Sequence, residues 1–471
     1  MRVFLCEPNI PVQASRFEPL GLCSISGYLK AKGHGCVVYQ QFGQSDNEVA
    51  DVIVDYAPDV LGLTCIDVNA PGALRIARAV RERLPEVLVI FGGEHPTANP
   101  ELAKESAVDL VALGEGEITM AEVLETLQAG SRDFSGIAGL AFAAEGAIVR
   151  TPSRDRIEDL SALPPPDREI LGKAQYRYYG LTPSDVGIPS KKLRVAATYL
   201  SRGCPYNCAF CTTPKVWGRR WIARPVDDVI AEMSALADSG INFVYFQDEN
   251  FLTDKNLVRE FCNKLIDRDL GLYFSCMSRI SHIEDDLVSL LYRAGLRHIG
   301  VGIESVLTET LDRLEKTQDL ARMQDRIGAL KRAGVSVCGL FMIGYPWETA
   351  EQIRGYSRLI RQLGVDTIKV QFLVPFAGTD LHETAKAQGA VLSENPLDHS
   401  AEIPALRSDH VSPDELMSLR RGLYRNFYLS PQFVLRVLWL TIRKPEMIPD
   451  FASRLYWFLR SRLHLLPVWS G

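Results

Sequence analysis

The sequence predicts an α/β protein: an N-terminal doubly wound parallel sheet, then a partial (β/α)6 barrel, then a C-terminal helical region. Three observations carry this. Short apolar runs alternate with amphipathic stretches that close on glycine, first over residues 1–150 and again over 194–395. A connector over 151–193, centred on Leu163-Pro-Pro-Pro-Asp167, separates the two series. Beyond residue 396 the strand signals stop, and Leu, Trp and Arg take over.

A chain of 471 residues is long enough for two or three domains with a large core. A hydrophobic share of 46% and a charged share of 23% are ordinary for a soluble globular protein. The net charge of −6 argues against a general nucleic-acid binder. No apolar run reaches the roughly 18 residues that a membrane-spanning helix needs. The start, Met-Arg-Val-Phe-Leu-Cys-Glu-Pro, is too short an apolar run for a secretory signal, so a cytoplasmic protein is expected. Ten cysteines in a chain of this length are not a disulfide framework.

Val3-Phe-Leu-Cys6 reads as the first strand. Residues 19–33 carry apolar positions at helical spacing and end in Gly33, hence a helix. Strands follow at 36–39, 60–64, 87–91 and 110–113, with a helix at 73–84. Such βα alternation builds a parallel sheet covered on both faces, with ligands beyond the carboxyl ends of its strands. The loops there are Gly92-Gly93-Glu94-His95-Pro96-Thr97 and Gly114-Glu115-Gly116-Glu117. Their glycines serve either tight turns or close approach of a ligand. His95 either holds a turn or touches a cofactor.

Prolines in a row exclude helix and favour an extended path, so 151–193 reads as a linker. Its Tyr176, Tyr178 and Tyr179 either pack it or line a site.

The second series opens with an apolar strand, 195–200, followed by Ser201-Arg-Gly-Cys204-Pro-Tyr-Asn-Cys208-Ala-Phe-Cys211. Five further strands, at 243–247, 272–278, 298–303, 335–343 and 367–374, alternate with helices. Six such units make a partial barrel whose chemistry belongs at the carboxyl ends of the strands. Those ends hold Asp248-Glu249-Asn250, Arg279, Glu304-Ser305 and Ile343-Gly344. Cys276 and Cys338 lie inside strands and read as core.

Cys204, Cys208 and Cys211 stand at C-x3-C-x2-C spacing on one loop. Three thiolates so placed can bind three irons of a [4Fe–4S] cluster. No fourth cysteine follows before Trp217, so one iron stays open to substrate or cofactor. Zinc would want a fourth Cys or His at short spacing. Unrelated buried thiols rarely come three in eight residues between a strand and a Gly/Pro-rich loop. A cluster with an exposed iron also needs a reducing compartment.

With Phe210 as its aromatic, this stretch resembles the signature of the radical S-adenosylmethionine superfamily. The resemblance implies a cluster on Cys204, Cys208 and Cys211, with S-adenosylmethionine bound to the open iron. Reductive cleavage would yield a 5′-deoxyadenosyl radical, with the electron drawn from a flavodoxin- or ferredoxin-type donor. Asp248 and Glu249 fall where that family receives the ammonium group, and Glu304 and Ser305 where it contacts the ribose or methionyl part. Ile343 and Gly344 fall in its adenine-stacking segment, and Arg279 would pair with the methionyl carboxylate. For each of these the alternative is a solvated strand end or an internal ion pair.

Pro19-Leu-Gly, Gly92-Gly-x-His-Pro-Thr97 and Gly114-Glu-Gly-Glu117 resemble the cobalamin-binding (B12-binding) domain found ahead of many such barrels. That adds cobalamin as a cofactor, with Gly92, Gly93, His95 and Gly114 as its contacts. There is no D-x-H-x-x-G, so no histidine is marked as a cobalt ligand. The implied enzyme abstracts hydrogen from an unactivated carbon of a small biosynthetic molecule. With cobalamin bound, methyl transfer follows. Without it, the radical eliminates water, as in aminoglycoside diol-dehydratases, or cyclises or rearranges. A non-catalytic cobalamin or cluster sensor would not need the acidic strand ends or Glu304.

Residues 413–427, 433–442 and 451–466 read as helices. They form a cap over the barrel or a homodimer contact, or they lie on a membrane surface as a basic, tryptophan-bearing segment.

Overall fold

A computed structural model describes residues 1–10, 17–172, 188–189, 192–314, 316, 319–393, 395–450 and 452. Tyr176, Tyr178, Tyr179 and nearly all of the helix expected at 451–466 lie outside the described residues. The first sheet comprises β1 (Arg2–Glu7), β2 (Gly35–Gln40), β3 (Val60–Thr64), β4 (Leu88–Gly92), β5 (Leu110–Ala112), β6 (Leu140–Ala144) and β7 (Ala147–Arg150). Its order is β2-β1-β3-β4-β5-β6-β7, with β1 to β5 parallel.

Alternate side chains of β1 feed two cores. Phe4 and Cys6 pack with Val49, Ile53, Ile76 and Val80 of the Asp46–Tyr56 and Ala70–Arg81 helices. Val3 and Leu5 pack with Leu22, Leu29, Met120 and Val123 of the Leu20–Ala31 and Glu117–Gln128 helices. Burial on both faces is why these strands read as unbroken apolar runs. The order reverses between β1 and β3, which opens a crevice at the carboxyl edge.

The sheet extends beyond the five strands read from the sequence. β6 and β7 form an antiparallel hairpin through Glu145 and Gly146, at φ 51° and 80°. Positive φ at both turn residues matches the right-handed twist of paired strands. The proline stretch then crosses the Leu20–Ala31 helix. A side chain at Gly27 would collide with the Pro165 carbonyl, so glycine permits the crossing. Asp167 holds it there, accepting from Ser26 Oγ at 2.7 Å and from Lys30 at 2.8 Å.

The second sheet holds β8 (Val195–Thr198), β11 (Phe243–Phe246), β12 (Tyr273–Arg279), β13 (Leu296–Glu304), β14 (Ser336–Ile343) and β15 (Thr367–Phe372). A two-stranded ribbon, β9 (Ser201–Arg202) with β10 (Ile222–Ala223), stands beside it. The six strands are parallel in the order β15-β14-β13-β12-β11-β8, so the barrel is open between β8 and β15. Outward residues such as Phe246, Phe274, Val301 and Phe341 form the main core with the surrounding helices. Phe246 meets Phe251 and Phe261 edge-on, with centroids 4.8 and 5.3 Å apart. Cys276 belongs to that core. Cys338 does not: it is half-buried and sits on the opposite, inward face of β14 with Leu340 and Met342.

The Pro413–Tyr428 helix covers the β15 edge. Tyr424 Oη accepts from the Val370 N–H at 2.9 Å and donates to its carbonyl at 3.3 Å. Tyr428 does the same for Ile368, at 3.2 Å each way. An edge strand with its backbone so occupied cannot template another chain. Among the described residues, no helix is long and apolar enough to cross a membrane.

Candidate active site

The cysteine loop leaves β9 at Gly203, which has φ 83° and no room for a side chain against the Arg220 carbonyl. All three cysteines are free thiols of intermediate exposure, whereas the other cysteines, Cys338 excepted, are buried. Burial pushes the Cys204 and Cys211 thiols up, so a metal would displace protons on binding. Among the described residues, no three His, Cys, Asp or Glu side chains converge on a single ion. A cubane places each thiolate on its own iron and does not ask for such convergence.

Two carboxylates at the end of β11 set the loop's path. Asp248 is fully buried and accepts from the Leu200 N–H at 2.9 Å and from the Ser201 N–H and Oγ at 2.7 and 2.6 Å. Both its oxygens are engaged by the chain. Glu249 accepts one backbone bond, from Gly203 at 3.0 Å, and faces a cavity. Burial raises Asp248 to about 6 and Glu249 to about 7.

Arg279, at the end of β12, donates Nη1 to Cys208 Sγ at 3.6 Å and lies 4.0 Å from the centre of the Tyr206 ring. Among the described residues its Nε is buried without a hydrogen-bond partner. Glu304 follows a bulge in β13 and has φ 65°, a left-handed conformation that costs a non-glycine residue of order 1 kcal/mol or more. Its Oε1 meets Lys316 Nζ at 2.6 Å, and Lys316 in turn sits 5.6 Å from the Phe210 ring. Phe210 packs with Met342, Tyr345 and Trp347 in a small apolar cluster beside the barrel mouth.

Ser305 has no exposure and is tied to Tyr356 Oη at 2.7 Å. Ile343 is fully buried in the outer core and turns its side chain away from the mouth. Gly344 keeps φ 86°, and a side chain there would point toward Leu416. Tyr356 donates to Glu348 Oε1 at 2.6 Å, so Ser305, Tyr356 and Glu348 form one buried chain behind the mouth.

Burial raises Glu348 from 4.5 to about 7 despite hydrogen bonds from Tyr356 and the Tyr345 and Gly344 N–H groups. The folded chain therefore keeps a proton that the unfolded chain has released, and stability falls as pH rises from about 4.5 to about 7. Glu348→Gln is expected to remove this loss, about 3 kcal/mol in total. The check is the gap between melting temperatures at about pH 5 and about pH 8, which should shrink in the variant.

Between the two sheets lies a cavity of about 250 Å³. One wall comes from the strand ends of the first sheet, with Gly62, Gly92, Gly93, Gly114 and Glu115. The other comes from Tyr199, Ser201, Arg202, Trp217 and Glu249. Gly93 has φ 104°, and a Cβ there would stand 2.7 Å from the Cys65 carbonyl. His95 does not line the cavity. It sits in a five-residue helix, not a loop, with Nδ1 2.6 Å from Asp67 Oδ1, while His399 reaches the other Asp67 oxygen at 3.2 Å. Burial would raise Asp67, but its bonds to His399 and His95 prevail and hold it at about 2.

A buried ion cluster joins the cavity walls. Arg202 donates to Glu115 Oε1 at 2.9 Å, to Glu117 Oε1 at 2.7 Å, and to Ser24 Oγ and Tyr199 Oη at 3.1 Å. Arg156 adds a bond to Glu115 Oε2 at 3.0 Å and one to the Trp217 carbonyl at 2.6 Å. Burial would raise Glu117, but Arg202 outweighs it and holds the carboxyl below its usual value. None of these residues was singled out from the sequence. The signal was there: Arg202 stands two residues before Cys204, and Glu115 and Glu117 lie in the glycine motif.

Residues 12–124 match the B12 binding domain family, and residues 198–360 match the radical SAM superfamily. The chain is 27% identical over 423 residues to an uncharacterized methyltransferase of Pyrococcus horikoshii, covering 89% of each. It is 28% identical over 449 residues to the anaerobic magnesium-protoporphyrin IX monomethyl ester cyclase of Rubrivivax gelatinosus, covering 92% of this chain and 78% of that one. Its fold is similar to that of TsrM from Kitasatospora setae, a radical S-adenosylmethionine methyltransferase solved with cobalamin and a [4Fe–4S] cluster. The TM-score is 0.71 at 17% identity, over 92% of this chain and 90% of that one.

A parallel barrel with three free cysteines at its mouth, facing the crevice of a doubly wound sheet, defines a radical S-adenosylmethionine enzyme. The chain belongs to that superfamily, in the group with an N-terminal B12-binding domain. Its cofactors are accordingly a [4Fe–4S] cluster, S-adenosylmethionine and cobalamin.

Proposed function

We propose that this enzyme is a cobalamin-dependent methyltransferase acting at an unactivated carbon of a small biosynthetic molecule. The carrying observation is the cavity whose walls are the glycine loops of the first sheet and the elements flanking the cysteine loop. When bound, the cluster and S-adenosylmethionine supply a hydrogen-abstracting radical, and cobalamin supplies the methyl group.

On this reading Cys204, Cys208 and Cys211 hold the cluster. Arg279 offers its unpartnered Nε to the methionyl carboxylate, and Glu249 offers its cavity-facing carboxylate to the ammonium group. Glu304, locked by Lys316, faces the ribose side. Gly92, Gly93 and Gly114 let the cobalamin approach the backbone. Phe210, Met342 and Tyr345 keep water from the mouth. Asp248 and Ser305 act behind these groups by fixing the backbone. The electron comes from a flavodoxin- or ferredoxin-type donor. The methyltransferase relative from Pyrococcus supports this reading.

The similarity to a cyclase favours radical cyclisation as the second reading. The test is anaerobic turnover of extracted metabolites with S-adenosylmethionine carrying a deuterated methyl group, read by mass spectrometry. A product bearing the labelled methyl is expected. A product that loses hydrogen or water and gains no methyl would replace methylation with cyclisation or dehydration.

A further inference from the structure

The two C-terminal helices differ in what covers them. Pro413–Tyr428 buries Leu416, Leu419, Leu423 and Phe427. Pro431–Arg443 buries none of its residues. It meets the body through Phe433 and through Arg436, which bonds the Asp366 carbonyl at 2.9 Å and its carboxylate at 3.2 Å. Its opposite side carries Val434, Leu435, Leu438, Trp439 and Ile442, which are 43, 64, 53, 51 and 80% exposed. The spacing i, i+1, i+4, i+5, i+8 makes them one stripe. Single exposed apolar side chains are ordinary, but a continuous apolar stripe along a helix marks a docking face.

Charge indicates what docks there. The Arg443 guanidinium lies 4.3 Å from the Trp439 ring, and Lys444 follows at the helix end. In the sequence from 431 onward, Arg454, Arg460 and Arg462 add to these, against Glu446 and Asp450, in a chain whose net charge is −6. A second copy docked with the two helices parallel would bring the Arg443–Lys444 ends together. An anionic lipid surface instead meets them with opposite charge and takes up the apolar stripe at its headgroup boundary. Tryptophan beside arginine suits that boundary, with an apolar body and a polar rim. At 13 residues the helix is too short to span a bilayer, so it would lie in the surface plane.

We propose that the Pro431–Arg443 helix seats the enzyme peripherally on an anionic lipid surface through its Val434–Leu435–Leu438–Trp439–Ile442 stripe. This is independent of the methyltransferase reading.

The test is flotation of the full chain with vesicles of phosphatidylcholine alone or mixed with phosphatidylglycerol. Binding to the anionic vesicles should exceed binding to the neutral ones by about tenfold and weaken with added salt. The Leu438→Asp/Ile442→Asp variant should lose that binding while keeping its melting temperature and S-adenosylmethionine cleavage. Absence of flotation, equal binding to both vesicles, or binding unchanged in the variant would overturn the proposal. A dimer that sediments as such and is split by the variant, with no vesicle binding, would assign the stripe to a second copy instead.

Discussion

Cys208→Ala is expected to remove the visible absorbance of the cluster and all S-adenosylmethionine cleavage. The argument rests on ligand count. With three thiolates, each of three irons has one protein ligand and the fourth iron is open. Losing one leaves two irons without protein ligands, and no other cysteine stands on the loop to replace it. Cys208 is half-exposed and outside every core cluster, so the circular dichroism and melting profile of the apo chain should barely change. Arg279 would lose the acceptor of its Nη1, a weak sulfur bond of small energetic weight. Cleavage that survived in the variant would show that the cluster is held elsewhere.

Arg202→Met should produce the largest loss of stability. Arg202 is 8% exposed and holds Glu115 and Glu117, which are 6 and 3% exposed. Removing it leaves Glu117 with only Ser24 as a hydrogen-bonding side chain, and breaking a buried pair from one side costs about 3–5 kcal/mol. The melting temperature of the affected unit should fall by roughly 10 °C. Lysine should not rescue it, since one ammonium point cannot span two carboxylates as the guanidinium fork does. Adding Glu117→Gln to Arg202→Met should recover part of the loss, because the stranded charge is then gone. Because this cluster joins the two cavity walls, cobalamin retention measured by visible absorbance should fall with it. Full stability in Arg202→Met would show that the ion cluster is not what holds the walls together.

Much of the architecture was readable from residues alone. Two-sided burial makes the strands continuous apolar runs, and glycines at helix ends mark where each βα unit closes. The cysteine spacing was readable for the same local reason: three ligands on one loop need no knowledge of distant parts of the chain. The Glu145-Gly146 hairpin was missed because its strands are short and partly exposed, so their pattern was weak.

The strand-end residues divided along another line. Glu249 lines the cavity, Arg279 reaches the cluster loop and Glu304 pairs with Lys316, while Asp248 and Ser305 turn to backbone and core partners. Neighbours in sequence point to opposite sides of a strand, and which side faces the chemistry depends on how the sheet curls and what packs behind it.

The chain's own order of residues determined that there would be two parallel sheets, a three-thiolate loop and glycine-rich strand ends, because each follows from local spacing and backbone preference. Only the folded arrangement decided that Arg202 would lock onto Glu115 and Glu117, that His95 and His399 would both turn to Asp67, and that the last described long helix would leave a bare apolar stripe. Those outcomes join residues far apart in the chain, and their energies come from burial and charge pairing that exist only once distant segments meet.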